Sequence, residues 1–209
     1  MSKKERLKMN KPTYTIPFMP DAKDASASPA LKICNNNWSY PSAPETTARL
    51  AFDGKNLYIN LECMEKNPRS VYTKNYEDVY RDSCMECFLC FDPETSPRYV
   101  NVETNSNGAI ICSTGPDRHD RKRVLDQYGF LPEVKADVKE DSWSVSIVLT
   151  DDFIKTLFGK TLSHGSRIKA NFYKCQQDGG VENYLSWSPI DTPKPDFHRP
   201  EFFGTLIIE

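Results

Sequence analysis

The sequence predicts an all-β fold, an antiparallel β-sandwich of roughly ten strands with one short helix. Three observations point there. Short segments that alternate apolar and polar residues recur from about Arg49 to the C-terminus. Turn residues separate them, at spacings suited to hairpins and sandwich strands. A single segment carries a helical pattern instead.

Residues 1–30 are polar and rich in Lys, Pro, Ala and Ser, which predicts an extended or partly disordered lead-in. Residues 31–209 then form one domain. LAFD and NLYINLEC flank Gly54-Lys55 and predict a hairpin around Asp53-Gly54. DSCMECFLCF predicts a long strand. YVNVET and GAIICS flank Asn105-Ser-Asn-Gly108, a second hairpin. PEVKADV and WSVSIVLT follow, and in the latter Trp143, Val145, Ile147 and Leu149 share one face. The helix comes next. Thr150 caps it, Asp151 and Asp152 occupy its first turn, Phe153, Ile154, Leu157 and Phe158 form its stripe, and Gly159 ends it. IKANFYKC, NYLSW and GTLIIE complete the set.

The chain of 209 residues is long enough for one sizeable core. Its net charge of −2 gives no electrostatic reason to expect nucleic acid or an anionic membrane as partner. No apolar run approaches the roughly 18–20 residues of a membrane span. Met1–Lys11 is mostly basic, and the TYTIPFMP after it is too short and proline-broken for a signal-peptide core. A cytoplasmic location is expected for the chain as it stands, or an exported one if a leader has been trimmed. The seven cysteines cannot all pair within the chain, so mostly reduced thiols are expected.

Cys84-Met-Glu-Cys87-Phe-Leu-Cys90 has ligand-like spacing. In a strand, however, Cys84 and Cys90 face one way and Cys87 the other, so one ion cannot collect all three. Buried free thiols are expected, with no metal and no cofactor. On the same strand Asp82, Cys84, Glu86, Phe88 and Cys90 share a face, and Tyr99, Asn101, Glu103 and Asn105 share one on the next. A strand with an aromatic, two amides and an acid on one side suits a polar binding surface; an ordinary solvated sheet face is the alternative. The stretch YLSWSPIDTPKPDFHRPEFFG has four prolines among Tyr184, Trp187, Phe197, Phe202 and Phe203. Proline can hold such aromatics rigidly without strand pairing. Rigid rings suit the C–H faces of sugars, while carboxylate, amide and guanidinium groups meet the hydroxyls.

Tyr80-Arg-Asp-Ser-Cys-Met-Glu-Cys-Phe, Tyr99-Val-Asn-Val-Glu, Asn171-Phe-Tyr-Lys-Cys, Leu185-Ser-Trp-Ser-Pro and Pro195-Asp-Phe-His-Arg-Pro-Glu-Phe-Phe-Gly together resemble the marks of family 9-like carbohydrate-binding proteins. The likeness runs from about Thr47 to the C-terminus. It implies a lectin-like sandwich related to the carbohydrate-binding modules of xylanases, in which two aromatics clamp a terminal sugar of a plant polysaccharide such as xylan. By motif position the acid of that set falls on Glu86 and the second clamp aromatic on or next to Phe197. Val79 stands where a tryptophan is expected, with Tyr80 the nearest substitute. Tyr99 takes a position that is basic in those modules, and Tyr173 one that is an amide. Structural calcium occurs in such modules, but no acidic loop here marks a site for it.

The reading is therefore non-catalytic binding of an oligosaccharide or polysaccharide end. Phe197 stacks on the sugar opposite Tyr80. Glu86, Tyr99, Asn101, Glu103, Tyr173 and Arg118 supply the polar contacts. Two alternatives stand beside it: a glycoside-active enzyme using Glu86 and Glu103, and a haem carrier with Met85 and His198 as the axial pair.

Overall fold

A computed structural model describes residues 11–38, 40, 43–180 and 182–209. Most of the basic N-terminal stretch lies outside the described residues. The strands, in order, are β1 (Thr13–Ile16), β2 (Leu31–Lys32), β3 (Thr46–Phe52), β4 (Leu57–Cys63), β5 (Cys84–Cys90), β6 (Tyr99–Asn105) and β7 (Ile110–Gly115). They continue with β8 (Lys122–Arg123), β9 (Glu133–Val138), β10 (Trp143–Leu149), β11 (Arg167–Gln176), β12 (Asn183–Ser186) and β13 (Gly204–Ile208). Helix α1 (Val124–Tyr128) precedes β9 and α2 (Asp151–Phe158) follows β10. Among the described residues no helix is long and apolar enough to cross a membrane.

The larger sheet runs β1-β13-β11-β5-β6-β7-β8, with β12 also paired to β11; the smaller runs β2-β3-β4-β10-β9. The inner faces of the two sheets share one core. It takes Leu50, Ile59, Leu61, Trp143, Val145 and Ile147 from the smaller sheet and Met85, Cys87, Leu89, Val100, Val102 and Phe172 from the larger. This is the sandwich the alternation predicted.

Local chemistry explains the expected hairpins. Asp53 Oδ1 accepts the backbone N–H groups of Lys55 and Asn56 at 2.8 and 2.6 Å, and Gly54 takes φ +98°. Asn105 Oδ1 accepts from Asn107 and Ala109, both at 3.2 Å, and Gly108 takes φ +76°. Both glycines stand in the left-handed region that side chains avoid. The α2 cap also forms, with Thr150 Oγ1 accepting from Phe153 N at 3.1 Å.

Three features depart from the sequence reading. The chain expected as a lead-in supplies β1, which pairs in parallel with β13, so the larger sheet is mixed rather than purely antiparallel. A second helix, α1, is present; five residues are too few to carry a helical period. The strands number thirteen among the described residues, because β2 and β8 are two-residue pairings below the length at which alternation can be read.

The larger sheet is covered on both faces. Cys84, Phe88, Tyr99, Tyr173 and Cys175 point away from the smaller sheet into a second apolar cluster with Tyr184, Ile190, Phe197, Phe202 and Phe203. The proline-rich segment thus roofs the outer face. Cys87 lies in the inter-sheet core while Cys84 and Cys90 lie in the outer cluster, as strand alternation requires.

Gly204 sits where this roof meets the sheet. A Cβ there would stand 2.6 Å from the Trp187 ring and 2.8 Å from the Pro12 carbonyl oxygen. Overpacking of this kind costs about 1–3 kcal/mol, so Gly204→Ala should lower the urea-unfolding free energy by that much. A change within about 0.5 kcal/mol, the scale of a neutral surface substitution, would contradict this packing.

Candidate functional site

Register builds the site. On the outer face Glu86 stands opposite Glu103 across β5–β6 and opposite Tyr173 across β5–β11. Glu103 in turn faces Ile111 on β7. One row across four strands therefore reads Tyr173, Glu86, Glu103, Ile111. The next row holds Cys175, Cys84 and Asn105, and the row on the other side Asn171, Phe88 and Asn101. Two carboxyls thus lie side by side in the middle of a sheet face.

Above them is a pocket of about 370 Å³. Its floor is Glu86, Glu103, Ile111 and Cys175; its walls are Tyr80, Tyr184, Gln177, Arg118, Arg121 and the segment Pro195–His198. Tyr80 comes from a 3-10 turn, Val79–Arg81, that ends just before β5. Arg118 and Arg121 come from the loop between β7 and β8.

The structure brings together Tyr80, Glu86, Glu103, Arg118 and Phe197 of the expected set. It sets Tyr99, Asn101 and Tyr173 beneath the surface, each with 0% exposure and outside the pocket lining. They support the site instead. Asn101 Nδ2 donates to Glu103 Oε1 at 2.8 Å, and Arg121 Nη1 donates to Asn101 Oδ1 at 2.9 Å. Tyr99 Oη lies 2.9 Å from His198 Nδ1. Tyr173 stacks on Phe197, centroids 4.1 Å apart and planes 9° from parallel, and donates its hydroxyl proton to the Phe197 carbonyl at 3.0 Å.

Tyr173 covers one face of the Phe197 ring, and Trp38 and Tyr184 stand 6.0 Å away on other sides. Phe197 and Tyr184 are each 7% exposed and line the pocket beside the more open Tyr80. Arg121, Cys175, Gln177, Asp196 and His198 were not assigned to the site from sequence. Arg121 and Gln177 lie in loops without periodicity. Cys175 reaches the floor through the β5–β11 register.

Met85 lies in the inter-sheet core whereas His198 packs on Phe88 on the outer face, ring centroids 4.8 Å apart. The two stand on opposite sides of one sheet and cannot hold a single haem iron, which removes the haem reading.

Burial dominates the electrostatics. Removal from water pushes Glu86 well above the ordinary carboxyl range, and Cys175 and Glu103 push it the same way. Burial raises Glu103 to about 7, against the opposing pull of Arg121 and the Asn101 hydrogen bond. Arg121 Nη1 is 3.9 Å from Glu103 Oε1 and 3.2 Å from His198 Nδ1. Burial, with Arg121 and Arg118 nearby, drives His198 far below its ordinary value, so its ring is neutral. A donation from Arg121 makes Nδ1 the acceptor and puts the ring proton on Nε2. Arg118 Nη2 pairs with Asp196 Oδ1 at 3.0 Å, and the same oxygen accepts from His198 N at 3.1 Å. The pocket therefore presents one carboxyl raised well above its ordinary range, a second that titrates near neutrality, two guanidinium groups and two tyrosines.

A family model described as carbohydrate-binding family 9 matches residues 18–208. A crystal structure of a candidate carbohydrate-binding protein from Bacteroides uniformis ATCC 8492 superposes with a TM-score of 0.81 at 26% identity, covering 96% of this chain and all of that one. Family 9 modules from Caldicellulosiruptor kristjanssonii share the fold at 13% identity. The one solved with glucose has a TM-score of 0.66 over 95% of this chain and 96% of its own. The one solved with cellotriose has 0.65 over 95% and 94%. No curated protein matches the chain.

The raised carboxyl predicts a pH dependence. Unfolded, Glu103 titrates near 4.5; folded, near 7. Between those values the folded state holds a proton that the unfolded state has lost. Its contribution to stability is thus complete below about pH 4.5 and is lost as the pH climbs to about 7. Glu103→Gln keeps the acceptor for Asn101 and removes the titration. The variant should gain stability over the parent between about pH 5 and about pH 8 in urea unfolding. An unchanged difference across that range would refute the raised value.

Proposed function

The chain belongs to carbohydrate-binding family 9, and from that premise we propose that it binds the terminal sugar of an oligosaccharide or polysaccharide in the pocket above Glu86 and Glu103, without catalysis. The observation that carries this reading is the composition of the pocket. Two tyrosine walls, Tyr80 and Tyr184, stand over hydrogen-bonding groups of both polarities. Sugars need that combination, because each ring offers C–H surface to aromatics and hydroxyls that both donate and accept. A volume of about 370 Å³ is near the lower end for ligand pockets, about 300–1,000 Å³, and suits a chain end rather than a chain interior.

Within this reading Glu86 does more than accept. Its shift favours the protonated form, which offers a donor as well as an acceptor from the floor. Arg118 and Arg121 donate to ring or hydroxyl oxygens from the wall, and Gln177 can do either. Tyr80, the most open of the aromatic walls, is the main stacking surface, with Tyr184 and Phe197 lining the pocket beside it.

One observation favours an enzyme: Glu103 has the displaced pKa of a general acid. Its neighbour does not complete the pair. Glu86 and Glu103 stand side by side on the floor in adjacent strands, whereas a glycosidic bond must be flanked from two directions. Turnover of aryl glycosides that disappears in both Glu86→Gln and Glu103→Gln would establish the enzyme instead.

A glycan array identifies the ligand, with glucose and cello-oligosaccharides the first to test, followed by xylo-oligosaccharides. Calorimetry on the best ligand then compares Arg118→Ala and Tyr80→Ala with the parent. Arg118 is half-exposed and Tyr80 partly so, so both variants should fold. A charged hydrogen bond is worth about 1.5–3 kcal/mol, which predicts binding weaker by roughly tenfold or more for Arg118→Ala. Loss of a stacking aromatic predicts at least a similar effect for Tyr80→Ala. Parent-like binding by both variants would place the ligand elsewhere.

A further inference from the structure

Two thiols that the proposed sugar contacts do not use stand beside Glu86 at the floor of the pocket. Cys84 and Cys175 are register partners on β5 and β11, and Glu86 is two residues from Cys84 on the same face. Cys175 Sγ lies 3.2 Å from Glu86 Oε1, and Cys84 Sγ lies 4.0 Å from the same oxygen. The three ligand atoms all fall within 4.8 Å of one another. All three residues are buried, with exposures of 0%, 1% and 3% for Cys84, Cys175 and Glu86.

We propose that Cys84, Cys175 and Glu86 form a binding site for one thiophilic divalent cation of the zinc class, with its fourth position open to the pocket. Geometry supports it first. Zinc holds thiolate sulfur at about 2.3 Å and carboxylate oxygen at about 2.0–2.2 Å, so tetrahedral neighbours stand roughly 3.6–3.8 Å apart. The observed 3.2 and 4.0 Å bracket that spacing, and small side-chain rotations reach it. Donor chemistry supports it next. Two sulfurs and one oxygen favour zinc or a similar soft cation over calcium or magnesium, which take oxygen alone. Access supports it last. Glu86 and Cys175 line the pocket, so an ion can enter and keep a water or a sugar hydroxyl as its fourth ligand.

A pair of buried thiols that pack as small hydrophobes is the competing account. It fits Cys87 and Cys112, which lie in the inter-sheet core. Cys175 differs from them: its thiol donates to Glu86 Oε1 at 3.2 Å and faces the pocket. The cation would displace the protons of both thiols and of Glu86 to solvent, leaving a site of net charge −1 with the Arg121 guanidinium on the same pocket wall. The three cysteines of β5 still do not share an ion. The site is completed across strands by Cys175, which spacing along β5 could not reveal.

The test uses the full chain, reduced, stripped with chelator and free of sugar, so that its result does not depend on the carbohydrate reading. Cys34 is exposed and is replaced by serine throughout. Cobalt(II) is titrated in. The expected result is a saturable thiolate-to-cobalt charge-transfer band at one equivalent, with visible bands of tetrahedral intensity. Cys84→Ser and Cys175→Ser should each weaken cobalt binding at least tenfold, whereas Cys87→Ser, on the opposite face of the same strand, should bind like the parent. Absence of the band, or parent-like binding by either Cys84→Ser or Cys175→Ser, overturns the site. If a serine variant fails to fold, cadmium-113 resonance on the parent decides: a shift for two sulfur ligands supports the site, and an all-oxygen shift overturns it.

Discussion

The parallel stack of Tyr173 on Phe197 is the contact on which the pocket depends. Without it the outer face of β11, β5 and β6 would be an open sheet surface in water. With it, the proline-rich segment after β12 is pinned to the middle of the sheet through both a ring face and the hydrogen bond from the Tyr173 hydroxyl. Phe88 packs edge-on against Tyr173 at 5.0 Å and lies 4.8 Å from His198, so the same aromatic cluster fixes the histidine beside Arg121. The wall and the floor of the pocket are set by one packing arrangement.

The roof has an electrostatic consequence. Glu86 and Glu103 would titrate as ordinary surface acids on an uncovered face. Covered, they sit side by side in low dielectric with a partly compensating guanidinium, Arg121, 3.9 Å from one of them. That arrangement does not favour folding at neutral pH. It agrees with the proposed role of both acids in ligand binding.

The β-sandwich was readable in the sequence because its major strands carry a clean two-residue period, as in Trp143, Val145, Ile147 and Leu149, and because Asp53-Gly54 and Asn105–Gly108 carry turn chemistry. The site was partly readable for the same reason. Alternation put Glu86 and Glu103 on a shared face, and the resemblance carried Tyr80 and Phe197. What alternation cannot say is whether a face meets water or another layer. Tyr99 and Asn101 were therefore assigned to a surface that is in fact covered; Tyr173 came with the resemblance. Nor can it say which strands become neighbours. Cys175 entered the floor through pairing with β5, and Arg121 through a loop whose path no local pattern encodes. β1 escaped notice because four residues are too few to establish a period beside a polar stretch.

The pairing of β1 with β13 bears on mechanics. The two strands are parallel: Thr13 aligns with Thr205 and Ile16 with Ile208. Pro12 O accepts from Thr205 N at one end of the ladder, and Ile16 O accepts from Glu209 N at the other, both at 2.9 Å. A pull between the segment before Thr13 and the segment after Ile208 draws the two strands past each other along their length. The hydrogen bonds between them then share the load, whereas an antiparallel hairpin pulled from its open end unzips bond by bond. Tension applied across the two ends of the domain is therefore met by the whole β1–β13 ladder at once.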